Sequence, residues 1–264
     1  MEKAAVFFDI DGTLWNYEKF IPDSAREAIR LLRQNGHMAF ICSGRAKAFI
    51  VDPDLLGLGF DGIVCSCGCH IEMNGEIKYQ YLIDEQKAVD TLELLRGYGF
   101  RPILEGPKHL YMDVEEFGLD HGFGNIIRQE LGSNLLTIKD YYGKWEFNKM
   151  SCDTCVEPAL RKECLDRLSK DYEVIAHDDK VCELVPKGFN KATGMIKACQ
   201  MVGIDPANTY AFGDGENDLE MLATAGTGIA MGNGTDRAKE AADYVTTAFD
   251  DDGIYNGLKH FGLI

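Results

Sequence analysis

Two aspartates, Asp9 and Asp11, stand two positions apart in the stretch VFFDIDGTLW, where they follow an apolar run and precede Gly12 and Thr13. Carboxylates in such a pair suit phosphoryl transfer, because one of them can attack phosphorus and form an aspartyl-phosphate. The second, here Asp11, could protonate the leaving oxygen and later deprotonate the water that cleaves the intermediate. We interpret the pair as a catalytic centre, with a carboxylate-capped turn as the simpler alternative.

Acidic, hydroxyl and amino groups further along the chain could complete this centre. Asp214 and Asp218 lie in the segment GDGENDLEM. Carboxylates that crowd together repel one another, and a hard dication such as Mg²⁺ relieves the repulsion, with Asp9 and Asp214 as the best side-chain ligands. Ser43, Lys191 and backbone N–H groups near helix starts could stabilise the oxygens of a transferring phosphoryl group.

The elements that position these groups are predicted from hydrophobic runs. The segments AAVFFDI, MAFICS and GIVCSC are short and apolar throughout, which is typical of strands covered on both faces in a parallel sheet. Between the first two, a helix is predicted from a capping box of Ser24 and Glu27, an apolar stripe and a final Gly36. In an open parallel sheet, catalytic groups gather at the carboxyl ends of the strands, which is where Asp9 and Ser43 stand. We therefore predict an α/β fold.

A smaller α+β domain is predicted between the two halves of this core. From about residue 84, strands follow one another directly, as in RPILEG and HLYMDV or in YEVIAH and VCELVP, with helices among them. The α/β pattern then resumes with the helix KATGMIKACQMVG, the strand TYAFGDG, the helix NDLEMLATAG, the strand GIAMG and the helix TDRAKEAADYV. We predict a core of residues 1–83 and 186–264 and an inserted domain of residues 84–185, with relative motion at the junctions.

Charge and composition disfavour several classes of partner. The chain has 43 acidic and 27 basic residues and a net charge of −16, so its long-range field disfavours nucleic acid and anionic membranes. No apolar run approaches the ~18 residues of a membrane span, and no signal peptide is evident, which predicts a cytoplasmic protein. The nine cysteines are expected to be reduced, buried thiols, because neither the CSCGC cluster nor the pair Cys152 and Cys155 has a complementary pair for zinc.

Four segments, in order, resemble the motifs of the haloacid dehalogenase-like (HAD) phosphatase superfamily. They are DIDGTL at 9–14, ICSGR at 41–45, Lys191 within KGFNKATGM, and GDGENDLEM at 213–221. The last motif, and an insertion between the second and third, are similar to the Cof-type branch. The resemblance covers essentially the whole chain. It implies a Rossmann-like core with a parallel sheet and an α+β cap domain that acts as a lid and selects the substrate.

The resemblance also implies a role for each matched residue. Asp9 corresponds to the nucleophile and Asp11 to the general acid and base. The implied phosphate-binding residues are Ser43, Gly44, Lys191 and Asn217. The implied Mg²⁺ ligands are Asp9, Asp11 through its backbone carbonyl, Asp214, and Asp218 either as a ligand or as support for one. The chain departs from the family at Cys67 before Gly68, where Cof-type chains commonly carry Asn-Gly.

The leading hypothesis is a Mg²⁺-dependent phosphatase that hydrolyses small phosphorylated metabolites, such as sugar phosphates, through an aspartyl-phosphate. A phosphomutase resembling phosphomannomutase would share the motifs, and a non-catalytic module could keep the pocket only to bind a phosphometabolite. A dehalogenase would leave Asp11 without a role, and a P-type ATPase would need membrane spans. The sequence makes no prediction of oligomeric state. Candidate contacts to the organic part of the substrate are Lys108, His109, Trp145, Lys149, His177 and Lys187.

Overall fold

A computed structural model of the 264-residue chain describes residues 2–117, 122–176 and 180–264. The strands within these ranges are β1 (Ala5–Phe8), β2 (Met38–Cys42), β3 (Gly62–Cys65), β4 (His70–Met73), β5 (Glu76–Gln80), β6 (Arg101–Glu105), β7 (Leu110–Tyr111), β8 (Leu135–Leu136), β9 (Lys149–Asp153), β10 (Tyr172–Ala176), β11 (Val181–Pro186), β12 (Thr209–Gly213), β13 (Thr227–Ala230) and β14 (Tyr244–Val245). The α-helices are α1 (Asp23–Gln34), α2 (Pro53–Leu56), α3 (Glu85–Gly97), α4 (Gly122–Leu131), α5 (Pro158–Leu168), α6 (Lys191–Val202), α7 (Leu219–Thr224), α8 (Asp236–Ala241) and α9 (Gly253–His260).

The chain divides into two compact units. The first comprises Met1–Gly44, Val51–Tyr79 and Asn190–Ile264, and the second comprises Arg45–Ile50 and Gln80–Phe189. The short segment Arg45–Ile50 groups with the second unit, because Ala48 packs in a buried cluster with Ile103 and Leu110. The sequence analysis assigned this segment to the core and placed the boundaries of the insertion at residues 84 and 185.

One sheet forms the centre of the first unit, with the strand order β14-β13-β12-β1-β2-β3-β4-β5. Neighbouring strands from β14 to β3 are parallel, whereas β3 and β4 are antiparallel. All four residues of β1 are buried, as expected of a strand that is covered on both faces. The α/β core with a parallel sheet is therefore confirmed.

Aromatic pairs hold β1 between its two neighbours in this sheet. Phe7 stacks on Phe40 of β2 with ring centroids 4.9 Å apart, and Phe8 stacks on Phe212 of β12 at 5.1 Å. Successive side chains of a strand point to opposite faces, so the two pairs stabilise both faces of the sheet. Such pairs contribute about 0.5–1.5 kcal/mol each beyond their buried area. They fix the central strands whose ends carry the polar residues discussed below.

Helix α1 begins before the predicted capping box, which is therefore wrong. Pro22 occupies the N-cap position, and no side chain caps the helix there. Ser24 thus lies inside the first turn, and Glu27 pairs with Arg30, with 2.6 Å between carboxylate and guanidinium. The helix ends before Gly36, as predicted, and this glycine has a φ of +90°. The predicted apolar stripe is also confirmed: its buried residues are Ala25, Ala28, Ile29 and Leu32.

Other elements differ from the sequence-based prediction. The predicted third strand ends at Cys65, because Ser66 and Cys67 have φ values of +50° and +51°, which an extended strand does not adopt. The predicted final helix of the last segment stops at Ala241, and the residues that follow form the edge strand β14. The hairpin strands β4 and β5 and the C-terminal helix α9 were not predicted. Alternation in β4 and β5 is weak, and α9 has only eight residues.

The second unit has α+β character. Its sheet has the order β10-β11-β9-β6-β7-β8, antiparallel except for the parallel pair β7 and β8. A buried core joins this sheet to α3 and α5, and it includes Leu92, Leu104, Met150, Cys164 and Leu168. Across both units, no helix in the described ranges combines the length and apolar composition that crossing a membrane requires.

Candidate active site

Strands at the centre of the first unit end in residues that the sequence analysis singled out. Asp9 directly follows β1, and its N–H donates to the Phe212 carbonyl of β12 at 3.0 Å. Phe8 is in register with Phe212 on one side and with β2 on the other. Because these strands are parallel, Asp9, Ser43 and Asp214 leave the sheet at the same edge, as predicted for catalytic groups.

Lys191 begins helix α6, and a reciprocal cap fixes its first turn. The Asn190 side-chain oxygen accepts the Thr193 N–H at 2.8 Å, and the Thr193 hydroxyl accepts the Asn190 N–H at 3.1 Å. The Lys191 side chain is only 1% exposed, and its Nζ lies 2.6 Å from Oδ1 of Asp9 and 2.6 Å from Oδ1 of Asp218. A single ammonium thus joins the carboxylate after β1 to one from the loop after β12.

The charges around this ammonium do not balance. Burial acts to lower the pKa of Lys191, but the charges of Asp218 and Asp9 outweigh it and raise the pKa, so the side chain stays protonated. Burial, reinforced by the charge of Asp218, raises the pKa of Asp9 well above its usual value. Asn217 Oδ1 also accepts from Lys191 Nζ, at 3.3 Å. Among the contacts that the structure describes, the Lys191 ammonium faces the three carboxylates of Asp9, Asp214 and Asp218, and a bound metal ion would neutralise the negative charge that remains.

Asp218 accepts hydrogen bonds on both of its oxygens. Oδ1 accepts from Lys191, and Oδ2 accepts from the N–H groups of Asp214 and Gly215, each at 3.0 Å. Its side chain is fully buried, and a Cβ added at Gly213 would lie 2.5 Å from its Cγ. Asp218 therefore shapes the turn that presents Asp214. This geometry suits support of a metal ligand better than direct ligation.

The Asp214 carboxylate is held against the loop that follows β1. Thr13 Oγ1 donates to Oδ1 of Asp214 at 3.1 Å. Gly12 has a φ of +82°, and a Cβ at this position would lie 2.2 Å from Oδ2 of Asp214, so only glycine leaves room for that carboxylate. Burial, followed by the charge of Asp218, raises the pKa of Asp214 to about 6.

Asp9, Asp214 and Asp218 form a candidate metal centre. Each can supply one carboxylate oxygen, and these atoms all lie within 4.8 Å of one another. Burial and neighbouring charge raise the pKa values of Asp9 and Asp214, a cation beside them would favour their ionised forms, and hard oxygen donors suit Mg²⁺. The residues present therefore fit a Mg²⁺ ion, and the hydrogen bonds above leave Asp9 and Asp214 as the better side-chain ligands.

The Asp11 carboxylate accepts a hydrogen bond from a buried tryptophan. Trp15 Nε1 lies 2.9 Å from Oδ1 of Asp11, and Trp15 is only 1% exposed. The backbone closes the same turn, since the Gly12 N–H donates to the Trp15 carbonyl at 2.8 Å and the Trp15 N–H donates to the Ile10 carbonyl at 3.1 Å. The sequence analysis did not single out Trp15, because no local pattern specifies an indole for this position.

Two further residues support the site without having been predicted. Thr13 belongs to the segment DIDGTL, so the motif itself could have indicated it. Asn233 bridges the loop carbonyl of Gly12, at 2.9 Å, and the N–H of Phe249, at 2.8 Å. Gly12 and Asn233 are 221 positions apart, and no local signal marks such a contact.

Ser43 and Gly44 follow β2 at the same edge of the sheet. Ser43 is 2% exposed, its N–H donates to the Val64 carbonyl at 2.9 Å, and its carbonyl accepts the Cys67 N–H at 3.2 Å. Cys67, which stands where Cof-type chains commonly carry Asn, is buried in a left-handed conformation. Its backbone N–H thus ties the loop after β3 to Ser43.

Lys149, a candidate substrate contact in the second unit, is instead buried in an ion-pair network. It is 1% exposed, pairs with Glu183 and lies 3.5 Å from Oε2 of Glu105. Ser151 also donates to Glu105, which lies directly opposite Lys149 in the sheet. Burial raises the pKa of Glu105. The Lys149 ammonium is therefore engaged by carboxylates of its own unit.

The other candidate contacts have different environments. Lys108 is well exposed and lies 3.9 Å from Glu146, whereas the Trp145 indole donates to the Ile138 carbonyl at 2.9 Å. His109 is partly exposed, and its Nδ1 is buried without a hydrogen-bond partner. Lys187 is exposed, and His177 lies outside the described residues.

Comparison with known proteins identifies the family. The family model for haloacid dehalogenase-like hydrolases matches residues 6–258, which is nearly the whole chain. YkrA of Bacillus subtilis, a protein provisionally named as a phosphatase, is 32% identical over 275 residues that cover all of both chains. The chain belongs to the haloacid dehalogenase-like hydrolases, and the resemblance seen in its motifs is confirmed.

Relatives with more specific names are also similar to this chain. The 5-amino-6-(5-phospho-D-ribitylamino)uracil phosphatase YcsE of Bacillus subtilis is 28% identical over 261 residues, which cover 98% of this chain and 95% of YcsE. The solved structure of BT4131, described as a sugar phosphatase of HAD subclass IIB, matches with a TM-score of 0.82 at 27% identity. That match covers 99% of this chain and 100% of BT4131, so the fold is shared over its full length.

Proposed function

We propose that this protein is a Mg²⁺-dependent phosphatase that hydrolyses small phosphorylated metabolites through an aspartyl-phosphate. The observation that carries the proposal is the buried Lys191 ammonium between Asp9 and Asp218, with Asp214 beside them. This arrangement combines a carboxylate nucleophile, a fixed positive charge and ligands for a second cation around one point. Membership of a hydrolase family whose similar proteins are named as phosphatases supports the same activity.

The first half of the reaction transfers the phosphoryl group to the protein. A carboxylate oxygen of Asp9 attacks phosphorus, so that a bond from this oxygen to phosphorus forms while the bond to the leaving oxygen breaks. Asp11, in its protonated form, gives its proton to that leaving oxygen, and the product alcohol departs.

The second half regenerates the carboxylate. Asp11, now ionised, takes a proton from a water molecule, whose oxygen attacks phosphorus and displaces the Asp9 carboxylate. Inorganic phosphate is released, and the proton remains on Asp11 for the next turnover. Each group thus returns to its starting state.

The other residues bind and orient the phosphoryl group. Lys191, Ser43, Asn217 and the backbone N–H of Gly44 would donate to its oxygens, where charge develops in the transition state. The contact with Lys191 also holds the Asp9 carboxylate in one orientation, which favours a near-attack geometry. Mg²⁺, when bound, would neutralise charge on the phosphoryl oxygens. It would be held by Asp9, Asp214 and the Asp11 carbonyl, with Asp218 as support or as a further ligand.

Sugar phosphates and related phosphorylated polyols are the proposed substrate class. BT4131 is described as a sugar phosphatase, and the substrate in the name of YcsE carries its phosphate on a ribityl chain. The second unit, as the inserted cap, would contact the organic part of such a substrate. A cytoplasmic location is part of this proposal, in keeping with nine free cysteines.

Phosphate release from a panel of sugar, nucleotide and cofactor monophosphates tests the proposal. Each substrate is assayed with Mg²⁺ and with a chelator, using the wild-type protein and Asp9→Asn. We expect release that requires Mg²⁺ and is lost in the variant. Release that persists in Asp9→Asn would reject the proposed nucleophile.

Two outcomes would favour the alternatives over hydrolysis. Conversion of one sugar monophosphate into its isomer, dependent on a sugar bisphosphate, would indicate a phosphomutase. Tight binding of a phosphometabolite without turnover, measured by calorimetry on the wild-type protein, would indicate a binding module.

A further inference from the structure

The steps of the proposed reaction give no role to the hydrogen bond between Trp15 and Asp11. We propose that Trp15 is a positioning residue for the general acid and base: its buried indole N–H holds Oδ1 of Asp11, and Oδ2 is the oxygen that exchanges protons with substrate and water. This inference rests on the proposed function, since it assigns a role within that reaction.

The indole is a fixed donor. Trp15 is among the largest fully buried side chains of the chain, and its own N–H and C=O groups are hydrogen-bonded to Ile10 and Gly12. Lys19 Nζ lies over the indole ring, 5.7 Å from its centroid. The position of Nε1 is therefore set by packing and by the backbone, and the hydrogen bond requires no rearrangement during the reaction.

The acceptor, in contrast, needs to be held. Asp11 is only partly buried and is followed by Gly12, whose φ of +82° places it in the conformation that glycine tolerates best. The direction of the carboxylate is important, because a misplacement of about 1 Å can cost a reaction about a hundredfold in rate. Hydrogen bonds to ionised acceptors are about twice as strong as neutral ones, so the indole can select one rotamer.

Proton balance is preserved with this assignment. Oδ1 of Asp11 accepts from Trp15 throughout, while Oδ2 carries the proton that passes to the leaving oxygen. In the second half-reaction Oδ2 takes a proton from water, and the indole keeps its own hydrogen. Trp15 therefore affects the steps in which Asp11 moves a proton and does not itself enter the reaction.

Leaving-group dependence tests the proposal. An alkyl phosphate needs a proton on its leaving oxygen, whereas a nitrophenyl phosphate has a leaving group that departs as the anion. Trp15→Phe removes the N–H, and 3-benzothienylalanine incorporated at position 15 replaces it with sulfur at nearly constant shape. We expect kcat/KM, which reports the first half-reaction and not the hydrolysis of the aspartyl-phosphate that both substrates share, to fall by about tenfold to a hundredfold for the alkyl phosphate with either substitution, and less for the nitrophenyl phosphate. Equal losses of kcat/KM for both substrates would overturn the proposal.

A double substitution separates positioning from general damage to the fold. In an Asp11→Asn background, Trp15→Phe should cause no further loss of alkyl phosphate turnover, because the group it positions no longer exchanges a proton. A further loss of tenfold there would contradict the proposal. Tyr172→Phe is a matched control, since it also removes one buried aromatic hydrogen bond, from Tyr172 to Thr91 at 2.9 Å in the second unit. It should leave the ratio of alkyl to nitrophenyl turnover unchanged.

A measurement without substrate tests the contact independently of the proposed activity. In a ¹⁵N spectrum of the full chain, the two indole N–H resonances are assigned with Trp15→Phe. Asp11→Ala should shift the Trp15 indole resonance and speed its exchange with solvent, while that of Trp145 stays in place. An unmoved Trp15 resonance would overturn the inference even in an active enzyme. If the wild-type protein releases phosphate from no substrate, the proposed function fails separately, whatever this spectrum shows.

Discussion

The Lys191 ammonium lies 2.6 Å from a carboxylate oxygen of Asp9, although 182 positions separate the two residues in the chain. Both belong to the first unit, so the contact is formed within the α/β core itself. It arises because β1 and α6 both direct their polar ends to the same edge of the sheet. The proposed nucleophile and the ammonium beside it are therefore brought together by the fold of the core.

Asp9→Asn should abolish turnover and leave the core folded. The amide is nearly isosteric with the carboxylate but cannot form an acyl phosphate, so phosphate release should fall by more than about a thousandfold. The urea midpoint should stay the same or rise, because the substitution removes one of the crowded buried carboxylates. Phosphate release and urea unfolding measured on the same preparation check both expectations.

Asp113→Asn is a suitable control for that variant. Asp113 is also a buried carboxylate, but it pairs with Arg96 in the second unit at 2.7 Å. This variant should lose some stability and keep its phosphate release. If Asp9→Asn retained a tenth or more of wild-type turnover, another residue would have to be the nucleophile.

Gly12→Ala should impair the candidate metal centre. A Cβ at position 12 would approach Oδ2 of Asp214 to 2.2 Å, so the carboxylate would have to move. A displacement of this size should lower activity by about a hundredfold and weaken the response to Mg²⁺. Phosphate release measured against Mg²⁺ concentration checks the prediction.

Gly36→Ala is a control that separates backbone strain at a positive φ from the steric contact between an added Cβ and Asp214. Gly36 has a φ of +90°, similar to that of Gly12, but nothing lies within 4 Å of an added Cβ. The substitution should cost about 1 kcal/mol of stability through backbone strain and leave activity unchanged. Equal loss of activity in the two variants would show that the position of Asp214 is not the cause.

The positions of several candidate site residues relative to the sheet could be predicted from the sequence, for a physical reason. Apolar runs followed by polar residues mark the ends of buried strands, and parallel topology brings those ends to one edge. Asp9, Ser43 and Asp214 were therefore placed correctly relative to the sheet. Lys191 was also predicted at a helix start, and the Asn190 cap explains why the helix begins there.

What the sequence did not predict depends on side-chain direction and register. The motif of Ser24 and Glu27 matches a capping box, yet the helix begins earlier and Glu27 turns to Arg30. Lys149 is a charged residue that composition would place at the surface, but cross-strand register sets it opposite Glu105. The contact between Trp15 and Asp11 depends on the hydrogen-bonded turn that joins Ile10, Gly12 and Trp15, which no sequence pattern predicts. To predict any of these features, one would need the three-dimensional arrangement of the neighbouring backbone.

Lys191→Met should destabilise the protein strongly. The substitution keeps much of the side-chain volume and removes the cation that two buried carboxylates share. Breaking a buried ion pair from one side typically costs about 3–5 kcal/mol. Urea unfolding in the absence of Mg²⁺ measures this loss. Adding Asp9→Asn should restore part of the stability, because one of the unpaired charges is then removed.

Lys197→Met on the same helix is the matched control. Lys197 is partly exposed, and its Nζ lies 3.2 Å from the centroid of the Tyr79 ring. Its loss should cost about 0.5–1 kcal/mol, as expected of a cation–π contact near the surface. A loss for Lys191→Met no larger than for this control would contradict the assigned role of the buried ammonium.

Asp214 should make both stability and Mg²⁺ binding depend on pH. Burial and the charge of Asp218 raise its pKa to about 6 in the folded protein, whereas an aspartate in the unfolded chain titrates near about 4. The folded state therefore holds the proton more tightly. The stability that this provides is present below about pH 4 and is lost as the pH rises through about 6. Mg²⁺ requires the ionised carboxylate, so its affinity should increase over the same upper range.

Urea midpoints of the wild-type protein and Asp214→Asn, measured with a chelator and with Mg²⁺ at about pH 5 and about pH 7, check this expectation. In the chelator, the wild-type protein should lose more stability than the variant between the two pH values. The raised pKa of Asp9 acts in the same direction, and the charge of Asp214 contributes to it, so a smaller shift of Asp9 in the variant adds to the same difference. Mg²⁺ should raise the wild-type midpoint much more at the higher pH, since ionised Asp214 then serves as its ligand. If Asp214→Asn showed the same pH dependence and the same response to Mg²⁺, Asp214 would be neither the titrating group nor a ligand.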